Sequence, residues 1–391
     1  MKTIVPKISS SLSKMWNKVL TLNNSLFPAL KEELRLEELS HKEQKLISIL
    51  DFAQIEKNIT VVSITNTPKD REEIARAFIA KSVYNFQTTR DLIDRLHCDR
   101  VLRIVCGWRY KNDIPSESKF SRVFKELSEM QIAQKAREQF VKEYLSDKTF
   151  FYNAIDSTKI TLRQKPVKIK KEKPKLKKRG RPKKGEIREP IRPTILEQQQ
   201  EMQSVEEKLT LVSTDCGVGI KQNSKGNREI WIGAKLHISA VDGDIPITAF
   251  YSGANVHDSS VALPLMQETS KRVNYLYDLQ DAGYDADIIR EFSTTLGHRP
   301  IIDTNPKNSK ELKAKIELIE HENKTFKDLN WHLNCDEQHY KQRSMVERVN
   351  KYLKDDFGCD KIYYQGATKV ASVLAFGILS ICIHQSLKLV T

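Results

Sequence analysis

The spacing of hydrophobic residues divides the chain near residue 150. Before this point apolar residues recur every three or four positions, as in residues 92–105 and 120–127, and this spacing predicts amphipathic helices. Gly107 ends the first run and Pro115 precedes the second, as expected at helix boundaries. We therefore predict an all-helical region over residues 1–148. A helix-turn-helix that binds DNA and a plain helical bundle both fit, because the pattern singles out no recognition helix.

After this region, strand-like segments alternate with helical ones. Residues 150–162 are rich in aromatic and β-branched side chains, which favours a buried strand. Residues 229–241 and 245–251 flank an Asp-Gly-Asp turn and predict a hairpin. Helices are predicted at residues 261–273, 286–296, 339–355 and 368–388, and strands at residues 275–279 and 299–302. This order predicts an α/β fold over residues 149–391, a mixed sheet flanked by helices as in ribonuclease-H-like domains.

Residues 164–212 form a predicted insertion between the first and second strands. Its first half is strongly basic: between residues 165 and 184, twelve of twenty residues are Lys or Arg and only Glu172 is acidic. This stretch supplies +11 of the formal net charge of +14, so the basicity of the chain is mostly local. Its second half, residues 195–211, is rich in Gln and Glu and is predicted to be helical. Such a dense positive charge indicates a polyanionic partner.

The centre of the basic stretch contains the Arg-Gly-Arg-Pro sequence of an AT-hook. The glycine permits close approach and the proline keeps the backbone extended, so the two arginines can lie along a narrow A/T minor groove. Flanking lysines would contact phosphates. The predicted DNA-binding residues of this segment are Lys178, Arg179, Gly180, Arg181, Pro182 and Lys183. A solvated linker and, in a eukaryotic chain, a nuclear-localisation signal are the alternative interpretations.

Bulk composition predicts a soluble cytoplasmic protein. Apolar residues make up 39% of the chain and charged residues 30%, as is typical of globular proteins. The six cysteines lack the close pairs of zinc or redox motifs, so we expect reduced thiols. The first residues have no apolar core typical of a signal peptide. The apolar stretch at residues 370–383 is too short to span a bilayer.

Three acidic residues are candidates for catalysis because of where they lie. Asp156 is inside an otherwise apolar strand, where an unpaired carboxylate is costly to bury. Asp281 directly follows a predicted strand, in the sequence Asp-Ala-Gly-Tyr, and Glu347 is in the middle of a predicted helix. Asp215, on a glycine-containing stretch predicted to be a loop, is the rival of Asp156. The neighbours that compete with Asp281 are Asp278, Asp285 and Asp287.

The predicted helix around Glu347 contains the most specific pattern in the sequence. Tyr340, Arg343, Glu347 and Lys354 are separated by three, four and seven residues, which on a regular helix places them along one stripe. A carboxylate flanked by two cations suits phosphate chemistry, because Glu347 can bind a divalent metal while Arg343 and Lys354 hold the DNA backbone. The alternative is a solvated helix face with fortuitous ion pairs.

These residues resemble a known family. The spacing of the stripe matches the Y-x2-R-x3-E-x6-K signature of bacterial insertion-sequence transposases of the DDE class. The sequences that begin at Asp281 and Asp156 are similar to the second and first aspartate motifs of those enzymes. Shorter stretches similar to one subgroup occur at residues 223–226, 231–237 and 257–259. The resemblance covers roughly residues 85–385.

The resemblance implies a ribonuclease-H-like catalytic core in which Asp156, Asp281 and Glu347 bind two Mg²⁺ or Mn²⁺ ions. Such a site would cleave double-stranded DNA at the terminal inverted repeats of an element and join the 3′-hydroxyl ends to target DNA. It further implies contacts to DNA from Tyr340, Arg343 and Lys354, a homodimer on DNA, and a place in the bacterial cytoplasm at the nucleoid. A metal-dependent nuclease that does not join DNA and a non-catalytic DNA-binding protein are the rival functions.

Overall fold

The computed structural model describes residues 39–59, 70–167, 193–222, 226–306 and 335–390, with a few positions between residues 309 and 318. Up to residue 148 the described chain is helical, as predicted. Its α-helices are α1 (His41–Ala53), α2 (Arg71–Val83), α3 (Thr89–Cys98), α4 (Arg100–Cys106), α5 (Glu117–Glu129) and α6 (Ile132–Tyr144). Residues 92–105 form two helices and not one, because Asp99 ends α3 and its carboxylate accepts from the Leu102 N–H at 3.0 Å, which starts α4.

A seven-stranded mixed sheet follows, and it confirms the predicted α/β class. Strand β1 (Thr149–Leu162) lies at its centre, antiparallel to β3 (Arg228–Val241) and parallel to β5 (Asn274–Gln280). The remaining strands are β2 (Gly217–Gln222), β4 (Ile245–Gly253), β6 (Arg299–Ile302) and β7 (Lys361–Ile362). The strand order is β2-β3-β1-β5-β6, with β4 also pairing with β3, and β7 with β1. The sequence pattern predicts no strand at residues 217–222, where β2 forms.

The helices beside the sheet are α7 (Ile195–Glu201), α8 (Val205–Thr210), α9 (Ala262–Arg272), α10 (Asp287–Thr295), α11 (Cys335–Tyr340), α12 (Ser344–Lys351) and α13 (Ala367–Lys388). Helices α7 and α8 occupy the predicted helical part of the insertion. They are separate because Ser204 caps α8, accepting from the Glu207 N–H at 3.1 Å. The AT-hook-like residues 178–183 lie outside the described residues.

Helix α13 is the core helix of the molecule. It packs against α1, α2, α5 and α6 on one side and against β4 on the other, and joins the N-terminal helices and the sheet in one hydrophobic cluster. Among the described residues it is the one helix long and apolar enough to cross a membrane, but 83% of its apolar window is buried within the fold. Residues 370–383 alone are too short to span a bilayer, but the helix that contains them has 22 residues, so the expectation from length is wrong.

Candidate active site

The Asp156 carboxylate extends from the middle of β1, opposite Ile238 of β3. It is half-buried and accepts a hydrogen bond from the Asn350 side-chain amide at 3.2 Å. Burial is the main cause that raises the pKa of Asp156, and the charge of Asp281 adds to it. The Ser157 backbone N–H and the cations Arg343 and Lys221 act in the opposite direction, and the pKa rises from 3.8 to about 6.

Helix α12 is placed over this strand by hydrophobic packing. The spacing of Met345, Val346 and Val349 puts their buried side chains on one face, which packs against β1 and β3. Arg348 fixes the helix further through an ion pair with Asp244, in the β3–β4 turn, at 2.7 Å. This packing leaves Asn350 facing Asp156 across 194 positions of sequence.

Asp281 lies directly after β5, at the start of the short 3₁₀ turn Ala282–Tyr284. Its carboxylate accepts from the Gly283 N–H at 2.9 Å, so the Asp-Ala-Gly-Tyr sequence forms a tight turn that fixes the direction of this side chain. A Cβ at Gly283 would come within 3.0 Å of the Asp281 carboxylate oxygen. The glycine therefore permits the close approach that the turn requires.

Arg343 interacts electrostatically with all three acidic residues. It forms an ion pair with Glu347 at 2.5 Å, and the Glu347 side chain is 53% exposed. Burial disfavours the charge of the guanidinium, but Tyr340 and the carboxylates of Glu347, Asp156 and Asp281 outweigh burial and raise the pKa of Arg343. The charges of all three carboxylates therefore act on Arg343, and Glu347 is in direct contact with it.

The helical segment that carries the four-residue stripe is less regular than the sequence predicts. A 3₁₀ turn (Lys341–Arg343) joins α11 to α12, and a π-helical turn (Tyr352–Asp356) follows α12. The Arg343 guanidinium lies 5.7 Å from the Tyr340 ring centroid, so Tyr340, Arg343 and Glu347 form a chain of contacts. Lys354 is in the π-helical turn, which has more residues per turn than an α-helix, and its charged neighbours include Lys159, Lys221 and Asp360.

The competing acidic residues occupy different environments. Asp278 is fully buried and accepts hydrogen bonds from Ser293 and Asn153, which indicates a structural role. Asp285 pairs with Arg290 at 2.8 Å, and Asp287 is an exposed residue at the start of α10.

Asp215, the rival of Asp156, is exposed and lies two residues before β2, whose Gly217 pairs with Gly233. Gly233 pairs with Thr161 of β1 on its other side, so β3 separates Asp215 from β1 and from Asp156.

Two known protein families match this chain. The family described as "Transposase DDE domain" matches residues 153–383, more than half of the chain. All three acidic residues lie within this range. The family described as "Transposase domain (DUF772)" matches residues 32–126, in the helical region. The chain belongs to the DDE transposase family. The comparison with curated proteins finds no match.

The transposase contains further site residues that sequence analysis missed. Asp258 forms an ion pair with Lys235 at 2.9 Å and accepts a hydrogen bond from Ser157, the neighbour of Asp156. Burial disfavours its charge, but Lys235, His237 and Ser157 outweigh burial and lower the pKa of Asp258. The resemblance at residues 231–237 and 257–259 contained this signal. No sequence pattern indicated Asn350, because what places it at the site is its hydrogen bond to Asp156 in the folded chain.

Trp231 and His237 of the transposase lie in buried, structural environments. Trp231 is 9% exposed, and its ring lies against Gly219. His237 is fully buried with Nε2 2.8 Å from the Ser252 hydroxyl, and burial lowers its pKa to about 4, so it is neutral.

The donor chemistry of the transposase site suits a hard divalent cation, since Asp156, Asp281 and Glu347 offer only carboxylate oxygens. Among the described residues, however, no three acidic, histidine or cysteine side chains are grouped closely enough to hold a metal ion. The contacts explain why: Asp156 is bonded to Asn350, Asp281 to its own turn, and Glu347 to Arg343. If Glu347 binds a metal ion, Arg343 competes with that ion for its carboxylate.

Proposed function

We propose that the transposase cleaves double-stranded DNA at the ends of an insertion element and joins the freed 3′-hydroxyl ends to target DNA. Asp156, Asp281 and Glu347 would hold two Mg²⁺ or Mn²⁺ ions. The observation that supports this best is that the charges of all three carboxylates act on Arg343, with Glu347 in direct contact. Added positive charge is favourable near these carboxylates, and a phosphate can meet a guanidinium there.

Each residue has a separate task in this proposal. The bound ions would activate the attacking water or 3′-hydroxyl and stabilise the leaving oxygen. Asn350 orients the Asp156 carboxylate, and the turn at Gly283 orients Asp281. Arg343 exchanges its carboxylate partner for a phosphate oxygen of the DNA, supported by the neighbouring Tyr340 ring. Lys354 holds the DNA backbone farther along.

Regions away from the site complete the proposal. The basic stretch that includes residues 178–183 would bind the minor groove, and the helical region over residues 1–148 would contribute DNA binding or assembly. Two element ends must be held together during joining, so we propose a homodimer on DNA. A soluble DNA-acting enzyme of this kind in a bacterial cell would be associated with the nucleoid.

The test is Mg²⁺-dependent nicking of DNA that carries the ends of the element. Asp281→Ala and Glu347→Ala should abolish nicking. Asp287→Ala, which removes an exposed acidic residue at the start of α10, should leave it intact. Nicking that survives Asp281→Ala or Glu347→Ala would disprove the catalytic assignment. Wild-type protein that binds but never nicks this DNA would support the non-catalytic alternative.

The joining step is tested separately with a supplied 3′-hydroxyl end and a target plasmid. A joined product supports transposition, whereas cutting without joining supports the nuclease alternative. The first carboxylate is tested by comparing Asp156→Ala with Asp215→Ala. We expect loss of nicking only for Asp156→Ala, and the opposite result would transfer this role to Asp215.

A further inference from the structure

The strands β2 and β3 extend beyond the body of the sheet as a two-stranded arm, which we define as residues 217–222 and 226–232. Within the described chain, β3 residues 228–232 pair with β2 alone, since pairing with β1 starts at Gly233 and pairing with β4 at Ala234. Residues that pair across an antiparallel ladder point to the same side, so the arm has two distinct faces.

The two faces of the arm differ in composition. One face carries β-branched aliphatic side chains that are 43–66% exposed: Val218, Ile220, Ile230 and Ile232. The other face carries the pairs Gly219 with Trp231 and Lys221 with Glu229. Because Trp231 is buried and the neighbouring Gly219 has no side chain, this second face is the one turned toward the protein.

An ion pair shows that the arm bends back over the sheet. Lys159 of β1 is opposite Lys235 of β3, yet its ammonium group contacts the carboxylate of Glu229, six residues away along β3. Six residues of straight strand span about 20 Å, more than the two side chains can bridge. The arm must therefore curl, and this curl carries Lys221, the partner of Glu229, toward Lys159 of β1.

Positive charge collects where the arm meets β1. Lys159, Lys221 and Lys354 come from three separate elements. Burial lowers the pKa of Lys354 most, and the nearby charges of Lys159 and Lys221 lower it further. Lys221 is exposed, and its charge acts on Asp156. Glu229 contacts Lys159 in this cluster and is itself exposed. The acidic neighbours Glu229, Asp355 and Asp360 balance the three lysines, so a phosphate would bind here by exchange with a carboxylate partner.

We propose that the arm is a DNA-binding element in which Lys159 and Lys221 bind backbone phosphates next to the cleaved one. Glu229 holds Lys159 in position until a phosphate replaces it. This inference rests on the proposed DNA-cutting function and extends it by naming a substrate contact outside the Tyr340–Lys354 segment. The two lysines are positioning residues, since they contact the backbone of the substrate and not its reacting atoms.

The test is the salt dependence of DNA binding, measured by fluorescence anisotropy on a mixed-sequence duplex in the full-length Asp281→Ala background with EDTA. Lys159→Ala and Lys221→Ala should each raise Kd about 3- to 10-fold and reduce the slope of log K against log salt by about one. Lys221→Arg should restore both values. Lys271→Ala, which removes a half-exposed lysine at the end of α9, should change neither.

Glu229→Gln distinguishes a DNA contact from a structural ion pair. Removing a negative charge that competes with phosphate should lower Kd about threefold. If the ion pair only supported the fold, Glu229→Gln would weaken binding or leave it unchanged, and that result would overturn the proposal. So would lysine variants that keep the parental Kd and slope. Circular dichroism and thermal unfolding confirm that each variant is folded.

The two proposals fail in different ways. If wild-type protein does not nick DNA with Mg²⁺ but the lysine variants lose affinity as described, the catalytic proposal fails and the arm still binds DNA. If wild-type protein nicks DNA and the lysine variants bind like the parent, the arm proposal fails alone.

Discussion

The Asp156 carboxylate should destabilise the metal-free protein, and Asp156→Asn should remove this cost. Burial, with help from Asp281, raises the pKa of Asp156 from 3.8 to about 6. One pKa unit corresponds to about 1.4 kcal/mol, so ionised Asp156 costs the native state about 3 kcal/mol relative to the unfolded chain. Asparagine has nearly the same shape and no charge. Its amide can also pair with Asn350, whose side-chain oxygen has no hydrogen-bond partner among the described residues.

The sign of the effect fixes its pH dependence. Below about pH 4, Asp156 is protonated in both states, so Asp156→Asn should have little effect on the free energy of unfolding. Between about pH 4 and about pH 6 the unfolded chain releases the Asp156 proton while the native state keeps it, so wild-type stability falls relative to the variant. Above about pH 6 both states are ionised and the difference stays constant. At about pH 8 the variant should therefore be more stable by about 3 kcal/mol.

Urea denaturation with EDTA, at about pH 4 and about pH 8, measures this difference. Asp287→Asn is the matched control, because the Asp287 side chain is exposed at the start of α10. Loss of its charge should cost about 0.5 kcal/mol through the helix dipole, with no gain in stability at high pH. The reasoning is refuted if Asp156→Asn is no more stable than wild type at high pH, or if its advantage persists unchanged at low pH.

Three further predictions concern the neighbours of Asp156. Asn350→Ala should slow nicking about 10- to 100-fold at unchanged DNA affinity, because the substitution removes the hydrogen bond that orients Asp156 and removes no DNA contact. An equal loss of binding in the anisotropy assay would contradict this. Asp281→Asn should lower the pKa of Asp156, since the Asp281 charge helps to raise it, as followed by carboxyl-carbon NMR titration; an unchanged pKa would separate the two groups. Arg343→Ala should bind Mn²⁺ more tightly, measured by calorimetry, because Glu347 loses a competing cation, and nicking should slow about 100-fold. Weaker Mn²⁺ binding would show that Arg343 supports the metal site.

The sequence was sufficient for features that depend on local pattern. The strand at residues 299–302 has the predicted bounds, and β1 and β5 extend the predicted strands by one residue at one or both ends. Aromatic and β-branched residues favour strands because of local side-chain packing, so this information is present in a short window. The turn after β5 is equally local, since the Asp281 carboxylate accepts its hydrogen bond from the Gly283 N–H two residues away.

Features that depend on partners distant in sequence could not be predicted. Strand β2 contains Gly217 and Gly219, which have low strand propensity, and it forms because β3 offers a ladder and Trp231 needs the space above Gly219. The bond between Asn350 and Asp156 joins elements that only the folded chain brings together. The π-helical turn that contains Lys354 also follows no local signal, although the residue spacing alone indicated a uniform stripe.

The contacts around Arg343 connect metal binding with DNA binding in the proposed mechanism. In the free protein Arg343 and Glu347 neutralise each other, so neither is available to a ligand without a cost. A DNA phosphate that takes Arg343 releases Glu347 for a metal ion, and a metal ion that takes Glu347 releases Arg343 for a phosphate. Because both ligands break the same ion pair, the first to bind removes that cost for the second, and the coupling must be reciprocal. Metal binding would thus be tighter in the DNA-bound protein, which favours metal-dependent cutting of the bound substrate.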